Sequence, residues 1–456
     1  MKKVTLLAAS VLAAAMMAPV ANAYTPNAYF GGYFRSGVNH GNGGKMAKFN
    51  VNKVGRLGNE DDSYGEIFLG ADVAQVDDTV WSVNTRLTAM SNTRNRDWQQ
   101  TNGKTSENNE IALREFNLTA KGLMDWDKDA VVWAGKRFYK REDIHITDMY
   151  YYDISGYGAG LENLQVGPGK LDLAWLRQDD NCAYEQYAKD GSKSDTNTYI
   201  SLNKLDARYN FGLWDGASLQ VSDTYYMPES QNGNLQVKKN AADNANTFGL
   251  ELNIGHSLGW NKSVLQWMHG SNASGVHYGT GNWLDYSGAS KSANGYRFIN
   301  FGDTAITDNF KLQHVFNYAY STGYETSKVK DKDSVQTLSI VVRPFYQLTK
   351  MTRLIWEAGF YTDTTKTKDG AKVNENGQKL TMAYALTPDA SNVWSRPEIR
   401  FFVSYIHGAA ADTDVKKNSF GQDYTVVNKF TPNLTANEGK AVNHNVMFGV
   451  QAEAWW

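Results

Sequence analysis

The residues best suited to chemistry cluster in one segment, Lys136–Asn163, with the sequence KRFYKREDIHITDMYYYDISGYGAGLEN. Between Lys136 and Asp153 it carries four basic and four acidic side chains, and a run of three tyrosines begins at Tyr150. The segment is too polar for a membrane strand, too aromatic for an ordinary solvated loop, and long for a tight connection. Charged groups mixed with tyrosines suit a surface that binds molecules with many hydroxyl groups.

The same segment contains carboxylates that could act as the acid and nucleophile of a secreted glycoside hydrolase. The candidate pairs are Glu142 with Asp143, and Asp148 with Asp153. His145 has no second histidine or cysteine at metal-binding spacing, so we expect it to form hydrogen bonds within a loop and predict no metal site.

Three glycines follow the tyrosine run, and their spacing resembles a phosphate-binding loop only superficially. They are Gly156, Gly158 and Gly160. No helix is predicted after them, so we expect them to serve turn geometry and predict no nucleotide or other cofactor.

The chain begins with the features of an export signal. Lys2 and Lys3 precede an apolar run, and Ala21–Ala23 is a small-x-small cleavage site. We expect residues 1–23 to be removed and residues 24–456 to form a single domain. Removing both lysines changes the formal charge from −2 to −4, with 44 basic against 48 acidic groups, which argues against a nucleic-acid partner.

The remaining composition is typical of a strand-rich exported protein. Aromatic residues make up 13% of the chain, glycine occurs 40 times and proline 8 times, and no later apolar run is long enough for a spanning helix. An outer-membrane β-barrel has this composition, because each strand exposes only one apolar face. A large soluble β protein could share it. The only cysteine, Cys182, cannot form an internal disulfide.

Apolar and polar residues alternate with a period of two along the chain, which favours the barrel. In Ala28–Ser36, Phe30 and Phe34 lie on one face, whereas Tyr33 and Arg35 lie on the other. The pattern recurs in Ser63–Val73, Trp81–Ala89, Leu171–Trp175, Ala217–Ser222, Phe248–Ile254, Leu354–Phe360, Ile399–Tyr405 and Val446–Trp456. We predict an all-β fold, a transmembrane antiparallel barrel whose apolar face contacts membrane lipid.

The C-terminal strand predicts how the barrel closes. Val446–Trp456 alternates to the last residue, with Trp456 on the apolar face and Trp455 on the polar face. A membrane barrel leaves no open sheet edge, so this strand must pair with Ala28–Ser36. That pairing would bring Trp455 near Tyr33.

Seven motifs occur in order along the chain: GGYFRSG (Gly31–Gly37), RLGNE (Arg56–Glu60), SYGE (Ser63–Glu66), Trp133–Asn163, GWNK (Gly259–Lys262), VWSRPEIRFF (Val393–Phe402) and AEAWW (Ala452–Trp456). With them the chain resembles the maltoporins, maltodextrin-selective porins of the Gram-negative outer membrane. The resemblance implies an 18-stranded barrel and a homotrimer. It also implies that Lys136–Asn163 contains a long loop that folds into the lumen and narrows the pore.

The resemblance further implies a line of aromatic side chains along which sugars pass. Matched motif by motif, it consists of Tyr33, Tyr64, Trp98, Trp260, Trp394 and Trp455, with Tyr150 at the constriction. In this family the residue matching Trp98 comes from a neighbouring subunit, and Trp260 stands where phenylalanine is common. The flanking polar residues would be Arg35, Arg56, Glu66, Arg114, Arg141, Asp143, His145 and Asp148.

Alternation tests part of this assignment without the resemblance. It groups Tyr33 with Arg35, Tyr64 with Glu66, Trp455 with Glu453, and Trp394 with Arg396, Glu398 and Arg400. Trp260 has the parity of Gln266, but a turn at Asn261-Lys262 would weaken this test. Arg114 shares the parity of apolar Phe116 and Leu118, so it reaches the lumen only if it precedes the strand or a β-bulge intervenes.

Two regions depart from the family pattern. The best-studied members of the family have a cysteine pair in the first external loop, whereas His40–Asp62 contains no cysteine. We therefore expect this loop to be held in another way or to be more mobile. Residues 264–390 match the family only loosely, which leaves the outer loops and the sugar preference open.

The function implied is facilitated diffusion of maltose and maltodextrins, without catalysis, metal or cofactor. A preference for sucrose or β-glucosides is the first alternative, but Tyr150 with the charges of Arg141, Asp143 and Asp148 favours maltodextrins. A general diffusion porin, which selects by size alone, is the second. A secreted hydrolase is the third, and the barrel alternation argues against it.

Overall fold

The computed structural model describes residues 25–41, 49–60, 62–91, 109–178, 183–187, 193–230, 244–277, 289–324, 332–368, 370, 372–417, 423–432, 434–435, 441–442 and 444–456. Within these residues the dominant feature is a closed antiparallel barrel of 18 strands. The predicted fold class and strand number are confirmed. No helix in this part of the chain is both long and apolar enough to span a membrane.

We number the barrel strands β1 (Asn27–Gly41), β2 (Ser63–Val76), β3 (Thr79–Ser91), β4 (Asn109–Lys121), β5 (Val131–Arg137), β6 (Gly156–Val166), β7 (Gly169–Gln178), β8 (Lys193–Trp214), β9 (Ala217–Ser230), β10 (Ala245–His256), β11 (Gly259–Gly270), β12 (Ala289–Ala305), β13 (Phe310–Tyr324), β14 (Lys332–Gln347), β15 (Thr352–Thr367), β16 (Lys372–Leu386), β17 (Glu398–Lys417) and β18 (His444–Trp455).

Short elements lie between these strands. Ala183–Tyr187 pairs with the first residues of β8, and Asp423–Pro432 pairs with the last residues of β17. Leu434–Thr435 pairs with Ala441–Val442. An α-helix of one turn spans Val51–Val54, and 3-10 helices span His145–Thr147 and Ala273–His277. A small hairpin joins Glu142–Ile144 to Met149–Tyr152.

The barrel closes where the first and last strands pair. Tyr33 on β1 lies opposite Trp455 on β18, as the sequence predicted. The outer face is apolar, as alternation required: Phe30 is 72% exposed and Phe448 is 59% exposed. Short turns such as 167–168 lie at one end and long connections at the other, and in membrane barrels these ends face the periplasm and the exterior.

The core of this barrel lies inside its lumen, where inward segments pack against the wall. Ile144, Ile146 and Met149 of the segment after β5 are buried against residues of β11 to β14. We call residues 138–155 the inward loop. The segment Lys136–Asn163 contains this loop, as predicted; its first two residues belong to β5 and its last eight to β6.

The glycines after the tyrosine run are strand residues, so the turn predicted for them was wrong. Gly156, Gly158 and Gly160 belong to β6 and pair with β5. A Cβ atom on Gly160 would lie 2.6 Å from the Leu173 carbonyl oxygen and 2.6 Å from Trp133 Nε1. Glycine here lets neighbouring strands and a buried indole approach closely.

Candidate functional site

Three rings lie side by side on the lumenal faces of β1, β2 and β18. Tyr33 and Tyr64 have ring centroids 6.0 Å apart, and Trp455 pairs with Tyr33 across the strand junction. All three share a face with charged residues, because residues two apart in a strand point the same way. We call these rings, together with Trp394 and Trp260, the aromatic row.

Trp394 and Trp260 reach the lumen by different routes. Trp394 lies in the turn before β17, which begins at Glu398, so strand alternation does not govern its direction. Trp260 lies on β11, where Asn261 and Lys262 pair with β10, so these two residues belong to the strand and not to a turn. Strand parity therefore does place Trp260 on the lumenal face.

A single carboxylate joins these two indoles. Trp260 Nε1 donates to Asp303 Oδ2 at 2.7 Å, and Trp394 Nε1 donates to the same oxygen at 2.9 Å. Trp260 also meets the ring of Phe301 edge to face, with centroids 5.6 Å apart. Asp303 and Phe301 lie on β12, in the region that matched the family only loosely.

A cavity of about 250 Å³ lies where the inward loop faces the aromatic row. Asp143 to Ile146 line it on the loop side, and Trp260, Trp394 and Trp455 line it on the wall side. The cavity thus offers apolar ring faces next to ionisable groups. Such a lining can bind the two kinds of surface that a sugar ring presents, its C–H face and its hydroxyl belt.

His145 links the two tryptophans at the middle of the row. Its ring centroid is 5.6 Å from that of Trp394 and 5.5 Å from that of Trp455. Its Nδ1 is 3.2 Å from Arg56 Nη1, and its Nε2 is 3.4 Å from Arg396 Nη2. Burial lowers the pKa of His145 to about 4, so the ring is neutral at physiological pH.

Glu453 is the centre of a buried charge network beneath the row. Tyr33 Oη donates to Glu453 at 3.0 Å, and salt bridges of 3.0 Å and 2.8 Å join it to Arg56 and Arg396. Arg400 contacts the same carboxylate. A buried carboxylate keeps its charge only when several donors surround it, and these donors hold Glu453 in place. Because Tyr33 is one of the donors, the network also fixes the position of that ring in the row.

Arg35 and Asp148 connect the wall to the inward loop. Arg35 forms a double hydrogen bond with Asp62, with both distances 3.0 Å, and reaches Asp148 Oδ2 at 3.1 Å. Burial opposes the charge of Asp148, but the Arg56 and Arg35 guanidinium groups hold its pKa below the usual range. The carboxylate is therefore charged and available to a hydroxyl donor.

Tyr150 on the small hairpin and Arg141 just before it lie close together in the inward loop. The Arg141 guanidinium lies 3.6 Å from the ring centroid of Phe138 and 4.8 Å from that of Tyr150. Asp143 is opposite Tyr150 in the hairpin register, and its side chain is exposed. Burial raises the pKa of Tyr150 to about 12, so its hydroxyl keeps its proton.

A β-bulge turns Arg114 towards the lumen. The register between β3 and β4 shifts at this point, with Arg86 opposite Glu115 and Leu87 opposite Leu113. Arg114 is the extra residue, and its Nε donates to Oγ1 of Thr88, on the lumenal face, at 3.3 Å. This is the bulge that the parity of Arg114 required. Nearby, Arg86 bridges Glu66, at 2.5 Å, and Glu115.

The inward loop is held by backbone contacts as well as by its apolar side. The Tyr151 carbonyl accepts from Gln266 Nε2 at 2.9 Å and from Arg297 Nη2 at 3.1 Å. Lys262 bridges Glu142 and Glu251, at 3.1 Å and 2.8 Å. Because buried wall residues make these contacts, the position of the tip is fixed relative to the aromatic row.

The segment that lacks cysteines is held by polar contacts. Residues 49–60, which we call the first inward segment, pack their apolar side chains against β14 to β17, and Leu57 is 0% exposed. The Leu57 backbone N–H donates to Glu357 at 3.0 Å, and Lys379 donates to the Leu57 carbonyl at 2.8 Å. Of the two predicted outcomes, the structure shows the first: the segment is held in another way.

Two residues singled out in the sequence, Trp98 and Cys182, lie outside the described residues. The sequence also missed residues that complete the site, above all Asp303 and the central role of Glu453. Glu453 shares the parity of Trp455, so parity was the available signal for it, whereas Asp303 shares the parity of the apolar Phe301, so parity gave no signal there. In the described part of the chain, no three His, Cys, Asp or Glu side chains are grouped to hold a metal ion.

The comparison that decides the family is a match to the LamB porin model over residues 28–456. The chain belongs to the LamB porin family. Maltoporin 1 of Aeromonas salmonicida is 36% identical over 468 residues, covering 100% of this chain and 99% of that protein. Maltoporin 1 of Klebsiella pneumoniae subsp. pneumoniae is 35% identical over 438 residues, covering 94% of this chain and 93% of that protein.

Among solved structures, OccD3 (OpdP) of Pseudomonas aeruginosa is similar with a TM-score of 0.45 and 9% identity, covering 94% of this chain and 91% of that one. That likeness is too weak to carry an argument. The family match confirms the resemblance drawn from the motifs. This LamB porin is a sugar porin of the Gram-negative outer membrane and not an enzyme.

Proposed function

We propose that this porin conducts maltose and maltodextrins by facilitated diffusion along the aromatic row. The observation that carries the proposal is the continuity of the row: each described ring contacts the next, is linked to it through a shared side chain, or lies opposite it in the strand register, as Tyr33 lies opposite Trp455. Tyr33 contacts Tyr64, His145 links Trp455 to Trp394, and Asp303 links Trp394 to Trp260. The relatives named maltoporin support this choice of sugar.

Transport along such a row works by weak, repeated binding. The C–H face of a glucose ring can stack on an aromatic ring, with a gain of about 1 kcal/mol per contact by analogy with aromatic pairs. Charged groups beside the row, such as Asp148 and Arg141, can form charge-assisted hydrogen bonds with the hydroxyl groups. A sugar chain moves because each ring that it leaves behind is followed by a similar ring ahead, and no site is deep enough to trap it.

Tyr150 would limit which molecules enter this path. It lies on the small hairpin opposite Asp143, and the guanidinium of Arg141, the residue before the hairpin, is 4.8 Å from its ring centroid. The inward loop is anchored through its apolar side, so the tip is a fixed obstacle rather than a mobile flap. We therefore assign Tyr150 the role of a steric and stacking filter at the constriction.

Assembly and processing complete the proposal. We propose cleavage after Ala23 and assembly of residues 24–456 into a homotrimer, in which Trp98 of one subunit serves the pore of its neighbour. Support comes from the small-x-small sequence at Ala21–Ala23 and from the motif resemblance. Intact mass of the purified protein tests the cleavage, and chemical crosslinking before denaturing electrophoresis tests the trimer.

The sugar preference is tested by current noise from reconstituted channels titrated with maltose, maltotriose and sucrose. Maltotriose should block ion current at millimolar or lower concentration and should cross liposome membranes faster than sucrose. Stronger block by sucrose or by an aryl β-glucoside would move the preference to another sugar of the same family. Permeation governed by size alone would make the protein a general diffusion porin.

A further inference from the structure

We propose that Asp303 is a positioning residue that fixes the indoles of Trp260 and Trp394 as one two-ring platform at the periplasmic end of the aromatic row. The inference deepens the proposed function and rests on it. Both indole N–H groups donate to Asp303 Oδ2, at 2.7 Å and 2.9 Å. The three residues come from β11, β12 and the turn before β17, so the carboxylate ties together separate parts of the chain.

Each indole has a single polar hydrogen, so one hydrogen bond determines where the edge of the ring points. Trp394 needs this constraint more than a strand residue does, because its turn lacks a β-ladder. Its backbone N–H bonds to Asn392 Oδ1 at 2.9 Å, which orients the main chain but not the ring. The contact with His145, at 5.6 Å and an interplanar angle of 54°, leaves rotation within the ring plane free.

Trp260 is constrained from two directions. Phe301 contacts it edge to face at an interplanar angle of 89°, and Asp303 holds its N–H. A phenylalanine at this position would have no N–H and could not bond to a carboxylate. The two-ring platform is therefore a consequence of the tryptophan that this particular chain carries at position 260.

Asp303 has acceptor capacity left for a sugar. A carboxylate offers about four acceptor sites over two oxygens, and both indoles use Oδ2. Among the described residues no lysine or arginine forms a salt bridge with Asp303, and the two neutral indole N–H groups stabilise its carboxylate. A glucose unit stacked on the two indoles could donate a hydroxyl hydrogen to Oδ1, which would add hydrogen bonding to stacking at the same site.

The test measures maltohexaose binding by current noise for the wild type, Asp303→Leu, Asp303→Asn and Trp260→Phe. Asp303→Leu removes the acceptor, and we expect about tenfold weaker binding through faster dissociation, with unchanged ion conductance. Asp303→Asn keeps an oxygen acceptor of the same size and should recover much of the affinity. Asp308→Leu, in the exposed turn after β12, is the matched control and should bind like the wild type.

A double-mutant cycle separates positioning from a general structural effect. In the Trp260→Phe background one of the two hydrogen bonds is already absent, so Asp303→Leu should cost less than in the wild type. The indole N–H resonances of Trp260 and Trp394 should both shift in Asp303→Leu, as measured by 15N NMR of tryptophan-labelled protein. Independent, additive effects of the two substitutions, or unchanged resonances, would overturn the proposal.

The outcomes for the two proposals differ. If maltohexaose does not block the wild-type channel, the proposed function fails, whatever the variants do. If it blocks the wild type and Asp303→Leu equally, the proposed function stands and the role of Asp303 is refuted.

Discussion

Substitution of Glu357 by glutamine should release the first inward segment from the barrel wall. Glu357 lies on β15, is 0% exposed, and accepts a hydrogen bond from the Leu57 backbone N–H at 3.0 Å. Its carboxylate also pairs with Lys379 at 2.6 Å and with Arg343 at 2.5 Å. Glutamine keeps the size and an acceptor oxygen but removes the charge, so two buried cations would face each other without a counterion.

The expected magnitude follows from this geometry. Removing one partner of a buried ion pair typically costs about 3–5 kcal/mol, because the charge left behind is uncompensated. A tenfold change in an equilibrium corresponds to about 1.4 kcal/mol, so the open form of the segment should become at least about a hundredfold more populated. Lys379 also donates to the Leu57 carbonyl, so a displaced Lys379 loosens the same residue from both sides.

Limited trypsin digestion reports this opening directly. Lys53 and Arg56 are cleavage sites inside the segment, and Arg56 is 2% exposed when the segment is closed. We expect Glu357→Gln to be cut at these sites much faster than the wild type, as measured by mass spectrometry of the released peptides. Cleavage at the exposed Lys128, in the turn after β4, is the internal standard and should not change.

The control is the double variant Glu357→Gln with Lys379→Met. Arg343, Lys379 and Glu357 together carry a formal charge of +1, the single variant raises this to +2, and the double variant returns it to +1. Partial protection from trypsin should therefore return in the double variant. If cleavage at Lys53 and Arg56 is equal in the wild type and the single variant, buried charge does not hold the segment.

Three further predictions concern the path itself. Trp394→Ala or Trp455→Ala should weaken maltodextrin binding by about fivefold, the value of one stacking interaction, and leave ion conductance nearly unchanged in single-channel recordings. Tyr150→Ala should raise single-channel conductance, and an unaltered value would mean that the constriction lies elsewhere. Because the pKa of His145 is lowered to about 4 from an ordinary 6.5, the unfolded chain binds more protons between these values. Stability should therefore fall as the pH drops from about 6.5 to about 4, and His145→Asn should remove that part of the slope in urea unfolding.

Strand alternation was enough to predict the barrel, its lumenal face and its closure. Tyr33 and Trp455 could be paired from the sequence because a membrane barrel has no free edge, so its two end strands must meet. The same parity showed that Arg114 needed a bulge, and the structure has one between β3 and β4. These predictions needed only the two-residue period of a strand.

Alternation gave little information where the inward loop covers the wall. Val264, Ile299, Phe301, Val315 and Val341 point into the lumen but are apolar, because they pack against the loop instead of water. The strands of this region are therefore apolar on both faces, as in a buried sheet, and the sequence does not show which face points into the lumen. Asp303 lies in this region, which is why the residue that joins two tryptophans was missed.

The contacts around Glu453 could not be predicted for a different reason. Arg56 and Arg396 come from connections before β2 and β17, and nothing in a strand period fixes where a connection places its side chains. The sequence identified both arginines, Arg56 by motif and Arg396 by parity, but not their common partner. That both arginines meet Glu453 depends on how these connections fold into the lumen, which strand parity does not determine.

The arrangement explains how a selective pore can bind weakly and still discriminate. Weak binding requires that each ring contributes little, so selectivity must come from the spacing between rings rather than from the depth of any one site. Spacing is reproducible only if each ring has little freedom, because a misplacement as small as about 1 Å in a binding site has measurable cost. The buried carboxylate of Glu453 fixes Tyr33 at one end of the row, and Asp303 holds Trp394 and Trp260 at the other. We therefore expect the charged residues under the row to act on sugar selectivity through the rings that they hold, and their replacement should change which sugars bind before it changes how many ions pass.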